Sequence, residues 1–218
     1  MIILPVPGVY RPQADTRLLV QALLDAPLRP GERVLDAFTG SGAVAIRAAA
    51  AGAGHVTAVD ISRRAAVSAR LNAYLHRRRV QVVRRDITEF ARGKRFDVVV
   101  ANPPYVPSPG APPTTGPERA WDGGPDGRVL LDRFCRALPD LLDHQGYGLI
   151  VHSEVCGSES TVRMLREGGL KAAVVVRQRI AFGPVMNARA RWLESAGLVE
   201  PGQQHEEVVV IRADRTRP

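Results

Sequence analysis

A chain of 218 residues and 23.6 kDa, with 45% hydrophobic and 24% charged residues, has the size of one α/β domain with an adequate core. Its apolar runs are too short to span a bilayer and no basic region precedes the apolar N-terminal residues, so a soluble, cytoplasmic chain without membrane contact is expected. The formal net charge of +8 favours an acidic partner such as RNA, DNA or a ribonucleoprotein, although arginine supplies nearly all of it, as a GC-rich genome also would. Cys135 and Cys156 lack metal or disulfide spacing and read as reduced thiols; the histidines are scattered, and no metal is expected.

In chain order, a first helix is predicted over Asp15 to Leu24, with Pro27 and Pro30 ending the link to the first strand. Val34-Leu35-Asp36-Ala37-Phe38-Thr39-Gly40-Ser41-Gly42 reads as a strand running through a small-residue turn into the alanine-rich helix Ala43 to Ala51. The turn is neither G-x-G-x-x-G nor a P-loop. His55 to Asp60 is a second strand and Arg63 to His76 a helix. The run Arg77-Arg78-Arg79 reads as a charged helix C-terminus favoured by the macrodipole rather than as a phosphate-contacting patch, because no aromatic residues interleave with these arginines.

Val80 to Arg85 is a third strand ending at Asp86-Ile87, and Phe96 to Ala101 is a continuous apolar run typical of a buried parallel strand. Residues 107–125, rich in Pro, Gly and Thr, read as neither helix nor strand and are placed to act as a substrate-side loop or lid, with Trp121 as an anchor or an ordinary packing residue. A helix over Val129 to Leu142 and a strand over Tyr147 to Val155 follow. The last two strands, Lys171 to Phe182 and Glu206 to Ala213, are read as antiparallel. Between them, residues 183–202 insert a helical segment around Ala188 to Leu193 that Gly197 ends, placed to touch the substrate or to cover a sheet edge. Strands alternating with helices predict one doubly wound, mostly parallel sheet over residues 1–218, opened by a segment with the first helix (1–30).

The chemistry-bearing residues fall at strand ends, where open α/β sheets bind ligands. Asp36, Asp60 and Asp86 occupy three successive ends, which points to a nucleoside pocket with Asp60 on the ribose. Asn102-Pro103-Pro104-Tyr105 ends the fourth. Prolines supply no N–H and leave their carbonyls free. The Asn102 oxygen and the Pro103 carbonyl can together take both hydrogens of one planar NH2 group, with Tyr105 over its π-face. That is a clamp for an amide or an exocyclic amine.

This order of motifs resembles class I S-adenosylmethionine-dependent methyltransferases, and more narrowly the HemK group of release factor glutamine methyltransferases, in its short branch without the N-terminal helical domain. Two further segments carry the narrower likeness: Val9-Tyr10-Arg11-Pro12-Gln13-Ala14-Asp15-Thr16, a Tyr-x-Pro-x-x-Asp-Thr pattern, and the Gly-Gly-x-Asp-Gly element Gly123 to Gly127. The resemblance implies a Rossmann-like fold of seven strands with an antiparallel last strand. It implies S-adenosyl-L-methionine as cofactor, its methionine end held by Asp36 and the Phe38–Gly40–Gly42 loop with Thr16, its ribose by Asp60, and its adenine by Asp86 between Ile61 and Ile87; Asn102 also counts among the cofactor-binding residues. Tyr10, Asn102, Pro103, Pro104 and Tyr105 would hold the substrate, with Asn102, Pro103 and Tyr105 catalytic. The family has glycine where this chain has Phe38. A phenylalanine adopts positive φ only at a cost, so a reshaped loop or weaker cofactor binding is expected.

The implied substrate is the glutamine of a Gly-Gly-Gln tripeptide in a release factor, and a small zinc-binding activator subunit is a possible partner. An adenine amino-group methyltransferase acting on RNA or DNA uses the same clamp, so RNA or the ribosome stays a possible partner. Other protein side chains or a small metabolite remain open substrates, and a cofactor-binding subunit without turnover is a further alternative.

Overall fold

The computed structural model describes residues 1–26 and 28–216, so Pro27 and the link it was expected to end lie in part outside the described residues. Each apolar run becomes a strand: β1 (Arg33–Ala37), β2 (His55–Asp60), β3 (Gln81–Arg84), β4 (Phe96–Ala101), β7 (Leu142–Ser153), β8 (Lys171–Ala181) and β9 (His205–Asp214). They form one sheet in the order β3-β2-β1-β4-β7-β9-β8. The first five of that order are mutually parallel, and β9 runs antiparallel to both β7 and β8. The expected fold class is therefore the observed one.

Alternation along the strands splits the core into two layers. In β4, Val99 and Ala101 face a layer with Leu35, Phe134, Leu138 and Ile150, while Val98 and Val100 face Leu19, Leu23, Val44 and Leu149. Helices α1 (Ala14–Asp25) and α2 (Ala43–Ala50) supply the second layer, and α5 (Val129–Leu141) supplies the first. A strand buried on both faces must be apolar throughout, which is why β4 reads as a continuous run.

Several boundaries differ from the expectation. The chain passes from α5 into β7 at Leu142 with no intervening turn, so the strand starts before Tyr147. Helix α6 (Ser158–Glu167) was not expected: SESTVRMLRE is mostly polar, and it buries only Ser158, Thr161 and Leu165. A one-turn helix α4 (Ile87–Phe90) starts from Asp86, whose side chain caps it. The loop at 107–125 contains a 3-10 turn at Pro117–Ala120, and its last strand β6 (Asp122–Gly124) pairs with β5 (Val106–Pro107). Helix α3 (Arg63–Leu75) closes before the arginine run, because Arg77 takes φ +53 and turns the chain away.

The inserted segment is a full helix, α7 (Pro184–Ser195), opened by Pro184 at its first position and closed by Gly197 at φ +69. Among the described residues no helix is long and apolar enough to cross a membrane.

Candidate active site

A cavity of about 820 Å³ opens at the carboxyl ends of β1, β2 and β4, beside the point where the strand order reverses. It is lined by all but one of the residues expected at the site: Tyr10, Thr16, Asp36, Phe38, Gly40, Asp60, Ile61, Asp86, Ile87, Asn102, Pro103, Pro104 and Tyr105. The exception is Gly42. Its φ of +83 opens α2, and a Cβ there would sit 3.0 Å from Ala69 Cα of α3, so helix packing also requires a glycine here.

In the cofactor-side half each acid takes a backbone N–H close to the end of its own strand, and Asp60 and Asp86 take further partners from elsewhere in the chain. Asp36 is buried, and its Oδ2 accepts from Thr39 Oγ1 at 2.6 Å and from the Ala45 N–H at 2.9 Å. Burial nonetheless pushes its carboxyl up to about 7. Its Oδ1 has no hydrogen-bond partner among the described residues. Asp60 accepts from the Gly40 N–H at 2.9 Å and the Ser62 N–H at 2.8 Å; burial raises its carboxyl above the ordinary range, and these bonds and the charge of Arg119 partly offset that. Phe38 adopts the left-handed conformation, at φ +58. The cost of about 1–2 kcal/mol is offset by the edge-on contact of its ring with Phe134, centroids 5.6 Å apart.

Asp86 has a partner that the sequence did not suggest. Arg133 of α5 lies across both carboxylate oxygens at 3.1 Å, and Thr88 donates its N–H and hydroxyl to Oδ1. Burial would raise this carboxyl, but the Thr88 bonds and Arg133 hold it below the ordinary range. Phe38, Ile61, Ile87 and Leu130 complete an apolar slot between the acids. A buried acid with a spare oxygen, a second acid at ribose position and an apolar slot fit a nucleoside carrying a cationic amino-acid tail.

The substrate-side half is built around Asp15, which the sequence reading left without a role. Its Oδ2 accepts from Asn102 Nδ2 at 2.9 Å, Tyr10 Oη at 2.9 Å and Tyr105 Oη at 3.2 Å. Its Oδ1 takes the Thr16 N–H and hydroxyl, so Thr16 is tied to Asp15 as well as facing the cavity. Burial first, then the Asp15 charge, raises both tyrosines well above the ordinary phenol range, and they act as neutral donors. Because Asn102 spends its N–H on Asp15, its Oδ1 is left as an acceptor. Neither that oxygen nor the Pro103 carbonyl has a donor among the described residues.

Behind this clamp, Gly127 at φ +73 presses on Tyr105; a Cβ there would lie 2.2 Å from the Tyr105 carbonyl oxygen. Cys156 Sγ donates to the same oxygen at 3.1 Å. The Gly-Gly-x-Asp-Gly element therefore lets the start of α5 close on the Asn-Pro-Pro-Tyr backbone. Both cysteines are buried thiols, and burial pushes Cys135 up to about 12.

Residues Pro112 to Pro117, Arg119 and Trp121 roof the cavity. The β5–β6 ribbon joins this roof to the clamp through Val106 N–H to Trp121 O at 2.8 Å. Helix α7 neither lines the cavity nor merely covers an edge. Arg189 reaches from it to the buried Asp122 carboxylate at 2.6 Å and to the Pro107 carbonyl at 3.0 Å, and Val106 packs on the small core of Phe182, Met186, Leu193 and Val199.

The methyltransferase small domain family model matches residues 2–111. A Methanocaldococcus jannaschii protein assigned as a protein N5-glutamine methyltransferase is 35% identical over 187 residues, covering 83% of this chain and 90% of that protein. Human methyltransferase HEMK2 is 32% identical over 184 residues, covering 78% and 84%. Among solved structures, a chain of the E. cuniculi Mtq2–Trm112 complex, described as responsible for methylation of the translation termination factor eRF1, superposes with a TM-score of 0.63 at 24% identity, covering 95% of this chain and 99% of that one. This last likeness concerns the fold.

Proposed function

The chain belongs to the methyltransferase small domain family and, within it, to the HemK group of class I S-adenosylmethionine-dependent methyltransferases; on that premise we propose that it methylates the side-chain amide nitrogen of a glutamine in a protein. The cofactor is S-adenosylmethionine, which supplies an activated methyl group on a sulfonium. Asp36 and the Phe38–Gly40 turn would hold its methionine end, Asp60 its ribose hydroxyls, and Asp86 its adenine between Ile61 and Ile87.

The observation that carries the reading is the Asn102–Asp15 bond. An amide nitrogen is a poor nucleophile because its lone pair is delocalised into the carbonyl. With Asp15 fixing the Asn102 side chain, Asn102 Oδ1 and the Pro103 carbonyl form two acceptors for the two hydrogens of one NH2 group. Accepting both hydrogens raises electron density on the nitrogen and sets its direction. Orientation of this kind lowers barriers by on the order of 7–11 kcal/mol in favourable cases. Tyr105, anchored through its hydroxyl, would pack against the amide plane beneath the 107–125 loop.

The substrate of this reading is the Gly-Gly-Gln glutamine of a peptide chain release factor. It is supported by the glutamine named in the M. jannaschii relative and by the eRF1 named for the E. cuniculi complex. A small zinc-binding activator subunit belongs to the same reading, after the Trm112 of that complex, and co-purification from the native host tests it. The deciding experiment is peptide mass spectrometry of a purified release factor incubated with the protein and S-adenosylmethionine. One methyl group on the Gly-Gly-Gln glutamine is expected. With Asn102→Ala the rate falls by at least about a thousandfold while cofactor affinity changes little. Methyl incorporation into adenine of RNA but not into protein would overturn the reading.

A further inference from the structure

The net charge of the molecule has one address. Residues 61–85 contain eight arginines and neither lysine nor acid, which equals the whole formal charge of +8 and leaves the other 193 residues balanced at 22 basic and 22 acidic. These eight are Arg63, Arg64, Arg70, Arg77, Arg78, Arg79, Arg84 and Arg85, and all are exposed. None of them makes an ion pair among the described residues. The fold lays them along α3, its C-terminal turn and the outer strand β3, with Arg70 bonded to the Val82 carbonyl and Arg84 to the Ile61 carbonyl, so helix and strand form one surface.

Aromatic interleaving, missing from the run Arg77 to Arg79 itself, is supplied by the helix. Arg63, Val67, Arg70 and Tyr74 follow one another at four, three and four residues and therefore share a face. Tyr74 is 80% exposed, an uncommon position for an aromatic ring, and the chain turns directly after it into Arg77. Charge on an outer strand also discourages edge pairing, but six of the eight arginines lie on the helix or its C-terminal turn and not on the strand.

We propose that the α3–β3 face binds single-stranded RNA, with arginines on successive phosphates and a base stacked on Tyr74. Arginine suits phosphate because its planar fork bonds two oxygens at once. The stripe is about 20 Å long, enough for several nucleotides. A base reaches Tyr74 on the outside of a helix only if it is unpaired, which selects a single strand over a duplex and RNA over genomic DNA. An acidic protein would satisfy the charges but leave the solvent-facing ring without a reason. The surface reaches the mouth of the cavity, since Arg63, Arg64, Arg84 and Arg85 line its rim. Bound RNA would thereby hold the enzyme beside a substrate presented in a ribonucleoprotein.

The test is fluorescence anisotropy of a labelled oligouridylate of about 20 nucleotides with the full chain. Binding is expected to weaken on the order of 50- to 100-fold between about 50 and 200 mM salt, as four or five phosphates demand. Replacing Arg77, Arg78 and Arg79 together by alanine should lower the slope of log affinity against log salt by about 2. Tyr74→Ala should weaken binding at least about fivefold at constant slope. All four residues are exposed and outside the cavity, so cofactor binding, measured in parallel, is expected to stay unchanged. No binding at low salt would overturn the proposal, as would binding indifferent to these variants. Polyglutamate competing as well as RNA would reassign the face to an acidic protein, and oligothymidylate binding more tightly than oligouridylate would overturn the assignment to RNA.

Discussion

The two halves of the cavity are assembled by different means. On the cofactor side, Asp36, Asp60 and Asp86 take backbone N–H groups from the turns their own strands lead into, as in Asp36 to Ala45, Asp60 to Ser62 and Asp86 to Thr88. On the substrate side, the clamp is set by residues far away in the chain. Asp15 lies 87 residues from Asn102 and 90 from Tyr105, and Arg189 lies 82 residues from Pro107. Even the cofactor side is not wholly local, since Asp60 also takes the Gly40 N–H and Asp86 also takes Arg133, but each acid keeps one partner within a few residues of its own strand end. A half built from distant segments exists only when the whole domain is folded, and its geometry depends on remote residues such as Arg189 of α7.

That contrast can be broken at both ends. The largest effect after Asn102→Ala is expected for Asp15→Asn, which keeps size but removes the charge that five donors share. A charge-assisted bond contributes about 1.5–3 kcal/mol, so kcat should fall about 10- to 100-fold. Cofactor affinity from isothermal titration should move far less, and an equal loss in both would dissolve the distinction between the halves. Next, Arg189→Ala strands the buried Asp122 carboxylate and should cost about 3 kcal/mol in denaturant unfolding. Adding Asp122→Asn should recover part of this loss; a strictly additive double variant would show that the pair is not coupled.

A smaller effect sharpens the cofactor side. The Asp36 carboxyl sits at about 7 in the folded chain against an ordinary 3.8. A raised carboxylate favours the protonated fold, so its stabilising contribution is complete below about 4 and lost as pH rises through about 7. A cofactor ammonium needs the ionised form. Cofactor affinity should therefore fall by up to about tenfold per unit as pH drops below about 7, and level off above it. Pre-steady-state titrations from pH 5 to pH 9 test the sign, and Asp36→Asn should flatten the profile.

The smallest effect concerns Phe38. Alanine there keeps the cost of φ +58 and loses the Phe134 contact, while glycine loses the contact but relieves the backbone. Phe38→Ala should thus be less stable than Phe38→Gly by about 1 kcal/mol, the reverse of the usual order. Thermal unfolding of the two variants decides it.

How much of this was readable in advance follows the same division. The seven strands, Asp36, Asp60, Asp86 and the Asn-Pro-Pro-Tyr run were legible, because a buried strand must be apolar and the residue that ends it stands at the ligand crevice. Asp15 was not: an acid in the first turn of a helix reads as a partner for the helix dipole until α1 is seen beside the end of β4. Arg133 was hidden for the same reason, on a helix face that only the docking of α5 turns toward Asp86. Gly42 reads as a ligand contact, and only the fold shows that a Cβ there would also meet Ala69 of α3.

The sequence by itself thus determined the sheet, the positions of the acids along it and the placement of Asn102 to Tyr105 at the end of β4, since these depend on hydrophobic pattern and on chemistry within a few residues. Only the tertiary structure decided which way Asn102 points, what shares Asp86 and why Phe38 is tolerated. Those facts rest on contacts between segments dozens of residues apart, and no local pattern encodes such a contact until burial of the core has drawn the segments together.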